Sequence, residues 1–186
     1  EKDPELGTEH PMTISSYIFL ITGIKIWIDL VNNFFRLISG NAKGFYINKH
    51  NTKKVVIEAR IVFVIYLLLF FVSFNLKNGI FFYAWILPMI IGQPFLRLFL
   101  LAEHGFCDLT TDMTKNSRTI KTNFLVRFFM WNMNYHTVHH YTPGIPFHKL
   151  QEYQKKIKHK VKYQELGYFD FHKKFLMHLS NQKDFH

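Results

Sequence analysis

The chain has 186 residues, of which 48% are hydrophobic and 18% aromatic, with a net charge of +10 and a single cysteine. It is too apolar to remain disordered, and one cysteine excludes an intramolecular disulfide and a cysteine-based zinc ribbon. The basic charge comes with no nucleic-acid-binding motif, so beside long apolar runs it points to an anionic membrane surface or an acidic protein partner ahead of DNA or RNA.

Residues 1 to 14 are polar and loop-like. The opening "EKDPELGTEHP" has no initiator Met and no signal peptide, and it reads as the middle of a longer protein. From residue 16 to residue 39 the chain is mostly apolar, and its polar residues Lys25, Asp29, Asn32, Asn33 and Arg36 recur in steps of three and four. That spacing makes one polar stripe on a helix, with Lys25 and Asp29 as an i, i+4 pair and Gly40 as the stop. A narrow polar stripe opposite a broad aromatic face suits a helix lying in a membrane interface; an amphipathic helix on a soluble core is the alternative.

Residues 41 to 54 form a basic loop. "RIVFVIYLLLFFVSFNL", Arg60 to Leu76, carries no charge after Arg60. Its length rises ~24 Å as a helix, short of a ~30 Å hydrocarbon core, and Val55 to Ala59 extend it, which predicts a span over 55 to 76. A second apolar run, 79 to 101, holds Pro88, Gly92, Gln93, Pro94 and Arg97. Such breakers are tolerated in membrane helices where neighbours satisfy the freed backbone. The two runs read as a transmembrane hairpin, with two buried helices of a soluble bundle as the alternative. Lys43, Lys49, Lys53, Lys54 and Arg60 before it, and Arg118, Lys121 and Arg127 after it, place both outer ends in the cytoplasm, with everything from His104 onward. Asn123 is a candidate N-cap for one helix through "FLVRFFMWNMNYHTVHHY", ended by Pro143 and Pro146. Residues 149 to 186 are a lysine-rich tail. The expected architecture is all-α: an integral membrane protein with one helical hairpin, an interfacial amphipathic helix and a cytoplasmic helical cap over 102 to 186.

His136, His139 and His140 are spaced i, i+3, i+4, so a helix puts them on one face, with Asn132 one turn earlier. Neutral imidazoles ligate iron, zinc, copper or nickel, and three aimed at one point can hold one metal or share two. His104, in "LLAEHGFCD", ends the second apolar run at the same membrane boundary and is a candidate fourth ligand. Glu103 and Asp108 are candidates to orient a ligand histidine from behind, since ligating imidazoles donate their other N–H to a carboxylate or carbonyl. His10 and His148 read as structural. Other chemistries fail on spacing: there is no H-E-x-x-H helix, no G-x-S-x-G elbow, no phosphate-binding glycine loop and no Glu-x-x-His pair.

The stretch "RFFMWNMNYHTVHHYTPGIPFHKL" resembles the third histidine box of membrane fatty acid desaturases, H-x-x-H-H within W-N-M-x-Y-H-x-x-H-H-x-x-P-x-x-P-F-H. Trp131, Asn132, Tyr135, His136, His139, His140, Pro143, Pro146, Phe147 and His148 all fit that pattern. "AEHG" followed by "NSRT" resembles the stretch after the family's last membrane helix, which holds a further ligand histidine, here His104. "DPEL" resembles the segment just downstream of the second histidine box. The resemblance spans almost the whole chain and is closest from 103 to 150. The first and second boxes and the first membrane hairpin have no counterpart here, so the chain resembles the C-terminal part of one desaturase domain. Some members use an Asn, through water, near the last membrane helix. Leu100 stands at that position, which leaves Asn132 as a candidate only.

The resemblance implies a non-haem centre of two iron ions held by histidines, of which this chain holds His104, His136, His139 and His140. With O₂ as co-substrate and two electrons it would remove two hydrogens from a membrane lipid acyl chain. A cytochrome b5-like or ferredoxin-like protein would donate the electrons, and the lysine-rich tail would dock that donor or bind anionic lipid. With half the ligands elsewhere, this segment alone is expected to be inactive. A carotenoid or lipid hydroxylase or ketolase of the same superfamily is the near alternative; a non-catalytic membrane metal-binding protein holding one zinc or nickel is the alternative of another class.

Overall fold

The computed structural model describes residues 10–42 and 47–181. The "DPEL" segment, the first part of the predicted opening loop, and Lys43 of the basic loop lie outside the described residues. Two compact units are formed, one from the residues up to Thr22 and from Phe95 onward, the other from Gly23–Pro94.

In the Gly23–Pro94 unit, the predicted interfacial helix begins afresh. Gly23 takes a left-handed φ of 67°, which separates α1 (Ile14–Thr22) from α2 (Ile24–Ile38). Without a Cβ, glycine reaches that region at no steric cost, so the single helix expected over 16 to 39 is two. The stop at Gly40 is as expected. Gly40 has φ 94° and donates to Leu37 O, while Asn41 donates to Arg36 O, the paired bonds of a Schellman ending. Arg60 Nε then takes Ile38 O at 3.0 Å, satisfying another carbonyl at that helix end.

The first apolar run is α3 (Thr52–Asn75), reached through a 3₁₀ turn over Lys49–Asn51. The continuous helix Lys49–Asn75 has 27 residues, ~40 Å at 1.5 Å per residue, which more than covers a ~30 Å hydrocarbon core. Phe35 of α2 meets Phe63 of α3 edge to face and Phe34 meets it at a tilt, and Tyr66 contacts Phe34, Phe81 and Trp85. The rest of α3 points its apolar side chains outward: Leu68, Phe70, Phe71 and Phe74 are all exposed, Phe74 by 73%. A water-soluble surface rarely carries so large a contiguous apolar patch, and lipid is the medium that suits it.

The second run is also helical but changes gauge. Phe82–Ile86 is a π-helical turn, closed by Leu87 N donating to Phe82 O, and α4 (Leu87–His104) follows. Pro88 explains the wider turn: it lacks an N–H and its ring would clash with the carbonyl four residues back, Ala84, in a regular helix. Phe82–His104 is the second helix long and apolar enough to cross a membrane.

The other unit contains, among the described residues, α1, the end of α4, a two-stranded parallel pair and four later helices: β1 (Arg118–Ile120), α5 (Phe124–Phe129), α6 (His136–Tyr141), α7 (Leu150–Ile157), β2 (Tyr163–Glu165) and α8 (Tyr168–Asn181). Arg118 pairs with Tyr163 and Ile120 with Glu165. Apart from these short strands the described residues are helical or irregular, in line with the all-α expectation. One core gathers Tyr17, Leu20, Leu101, Ala102, Ile120, Phe171, Phe175 and Leu179; a second gathers Val138, Leu150, Ile157 and Val161. As far as Asn181, the supposed basic tail is thus part of the fold. Phe171, Phe175 and Leu179 recur every four residues and bury one face of α8, while Lys173 and Lys174 stay outside.

Candidate metal centre

The single helix expected from Asn123 to Tyr141 is broken. Asn123 caps α5 as predicted, its side chain accepting from Val126 N at 3.0 Å. Trp131 and Asn132 then both take left-handed backbone, φ 53° and 58°, which no α-helix can continue through. Asn132 N donates to Arg127 O and Met133 N to Met130 O, so the turn is held by its own bonds. Asn132 therefore does not sit one helical turn before His136 on its face, which corrects the placement read from the spacing. The new helix is anchored from behind. Asn134 Nδ2 donates to Ile120 O at 2.8 Å and Thr137 Oγ1 to Ser117 O at 3.2 Å, with Thr137 and Val138 fully buried.

These anchors bring His136, at the start of α6, against His104, at the end of α4. Both are buried, 5% and 4% exposed. His136 Nε2 lies 2.8 Å from His104 Nε2 and 2.9 Å from His140 Nε2, one turn further along α6. The candidate ligand nitrogens of the three residues all lie within 4.8 Å of one another. His139 is beside this group and outside it: its ring centroid is 5.9 Å from that of His136 and 5.8 Å from that of His140, and it is half-buried.

Three imidazoles fit a metal ion here. A neutral imidazole nitrogen is either one donor or one acceptor, so the His136 Nε2 placed against two other Nε2 atoms cannot be matched to both by protons alone. A cation accepts all three lone pairs. Nitrogens about 2.0–2.1 Å from one ion are spaced by about 3 Å when adjacent, near the separations of His136 Nε2 from the other two, 2.8 and 2.9 Å.

Glu103 backs the cluster and Asp108 does not. Glu103 is buried, its Oε2 lies 3.4 Å from His136 Nδ1, and its Oε1 accepts from Tyr168 OH at 2.8 Å. Burial, then the Glu103 charge and this hydrogen bond, hold the Tyr168 phenol far above its ordinary range, so it remains a donor. Asp108 is instead engaged by Lys162 Nζ at 2.6 Å and Tyr163 OH at 2.7 Å. Those two bonds hold its carboxyl below the usual range. The orienting role expected for Asp108 is corrected accordingly.

Two residues at the site had no signal in the sequence. Tyr168 lay in what read as tail. Arg118, counted with the cytoplasmic surface charges, is buried: Nη1 donates to Ala102 O at 2.6 Å, and its guanidinium stacks 4.7 Å from the Phe171 ring centre. It ties down the last turn of α4, where Glu103 and His104 sit, and desolvation lowers its pKa. No spacing rule distinguishes this arginine from a surface one. His148 is exposed on a 3₁₀ turn with its ring against Phe147, and His10 is half-buried beside Pro11, both apart from the three-histidine group.

A family model described as fatty acid desaturase matches residues 1–172. A dihydrorhizobitoxine desaturase of Bradyrhizobium elkanii is 38% identical over 88 residues, which cover 45% of this chain and 24% of that protein. The chain thus matches about a quarter of that relative's length. No solved structure matches it.

Proposed function

The chain belongs to the fatty acid desaturase family, and on that premise we propose that its histidine cluster is part of a two-iron centre that desaturates the acyl chain of a membrane lipid, with O₂ as co-substrate. The observation that carries this reading is the convergence of His104, His136 and His140 on one point. Bound iron would activate O₂, the oxidant that takes two hydrogens from an unactivated chain, which is chemistry that no side chain performs. The protein supplies the holding and the placing. His104, His136 and His140 would hold one iron, and His139, next to them on α6, would serve the second together with ligands from elsewhere in the whole protein.

His104 ends a helix long and apolar enough to span a membrane. A site at the end of such a helix is near the boundary of the lipid, which supports a membrane-soluble substrate. The basic residues flanking the two spans favour a cytoplasmic site. Lys155, Lys156, Lys158 and Lys160, all exposed on and after α7, form a basic face suited to an acidic electron donor of the cytochrome b5-like or ferredoxin-like kind.

The test is elemental analysis of the full-length, detergent-purified protein beside its His136→Ala variant. About two irons per chain, lost in the variant, support the reading. Zinc alone, or no metal, refutes it. A second reading rests on the similar bacterial protein, named for desaturation of dihydrorhizobitoxine: the substrate would be that compound or one like it. Lipid profiling beside an assay on that compound separates the two.

A further inference from the structure

We propose that Tyr168 is a positioning residue for the metal centre, acting through Glu103 to set which nitrogen of His136 is offered to the metal. The inference rests on the reading of the histidine cluster as a metal site and deepens it.

Three elements of one unit form a relay. Tyr168 begins α8, Glu103 is the next-to-last residue of α4, and His136 begins α6. The Tyr168 ring packs edge to face on Phe99 with centroids 4.9 Å apart, which fixes where its hydroxyl can point. That hydroxyl donates to Glu103 Oε1 at 2.8 Å. A carboxylate held through one oxygen cannot turn freely, so its other oxygen is directed. Oε2 lies 3.4 Å from His136 Nδ1, with both side chains almost fully buried.

A carboxylate facing Nδ1 favours the imidazole tautomer that carries its proton there. The lone pair is then on Nε2, the nitrogen that faces His104 and His140. In the other tautomer His136 would present an N–H to the cluster and a lone pair to a carboxylate, which is unfavourable at both ends. Tyr168 touches no candidate ligand itself; its effect passes through Glu103. Loss of such an outer partner weakens metal binding about 10- to 100-fold.

The experiment uses the full-length protein in detergent, with cobalt(II) as the probe, titrated by visible absorption, and with iron content measured in parallel. Tyr168→Phe keeps the ring on Phe99 and removes only the hydroxyl. It should weaken cobalt binding about 10- to 100-fold and shift the cobalt bands, with the apparent melting temperature close to the unmodified protein's. Glu103→Gln should do the same, and Tyr168→Phe added to Glu103→Gln should cause no further loss, because the two act in series. Tyr163→Phe removes the phenol–carboxylate bond to Asp108 and should leave cobalt binding unchanged.

Cobalt binding and spectra unaltered in Tyr168→Phe overturn the proposal, as do losses that multiply in the double variant. If Tyr168→Phe fails to fold, Glu103→Gln decides, and unaltered binding there overturns it equally. A different result marks failure of the metal-site reading itself: an unmodified protein that takes up neither cobalt nor iron, or His136→Ala binding as tightly as the parent.

Discussion

Gly105 directly follows His104, and a methyl group there would test how tightly the end of α4 is held. A Cβ built on Gly105 would lie 2.5 Å from Leu101 O and 2.9 Å from Phe171 Cζ. The first of these is a backbone carbonyl, already accepting from Gly105 N at 2.7 Å, and cannot swing aside. The second belongs to a ring that is 3% exposed in the core and carries Arg118 on its face. Relief requires shifting the last turn of α4 or displacing α8. Overpacking of this kind costs about 1–3 kcal/mol. At about 2–4 °C per kcal/mol for a protein of this size, Gly105→Ala should lower the apparent melting temperature by roughly 2–12 °C. The displaced turn carries Glu103 and His104, so iron content should fall as well. Gly144 has nothing within 4 Å of a built Cβ, and Gly144→Ala is the matched control with little expected effect. Thermal melting in detergent and elemental analysis on the same samples suffice. A Gly105→Ala protein with parental melting and parental iron would refute the argument that the helix end is sterically fixed.

Two further outcomes follow from the same unit. Asp108→Asn should leave iron content and cobalt affinity unchanged, because Asp108 is bonded to Lys162 and Tyr163; a loss of metal would restore it to the site. His172 accepts from Tyr17 OH at Nδ1, 3.0 Å, and donates from Nε2 to Leu98 O, 3.1 Å, a neutral tautomer, and burial lowers its pKa. As the pH falls, the unfolded chain therefore takes the proton first. Stability is full above about pH 6.5 and is lost as the pH drops towards the lowered folded value. Melting curves between pH 7.5 and about pH 5 should show this loss, and His172→Gln should reduce it; an identical pH dependence in both proteins would remove His172 as its source.

What was legible in the sequence concerns short-range order. Gly40 marked a helix end because the two bonds of that ending join residues within five positions of each other. Asn123 marked a helix start because its side chain reaches a backbone N–H three residues on. The apolar runs marked two helices long enough for a membrane, since uncharged length needs no tertiary partner to be recognised. The turn at Trp131 and Asn132 was not legible. Neither residue is a glycine, and the segment around them has the apolar content of a continuous helix; only the anchoring of α6 on Ser117 and Ile120 makes the break worthwhile.

By itself the sequence determined the chemistry on offer: the spacing of His136 and His140 on one helical turn, a histidine at the end of an apolar helix, and the family pattern around them. The tertiary structure decided which of those groups meet. It placed His104 against His136 across 32 positions, left His139 beside the group, gave Asp108 to Lys162, buried Arg118, and drew Tyr168 to Glu103 across 65 positions. The physical reason is one of range. A helix turn or a cap is set by residues within about five positions of each other, and so is written in adjacent letters. A contact between distant elements is set by how two cores fill with side chains such as Phe171 and Val138, and no pair of distant residues records that alone.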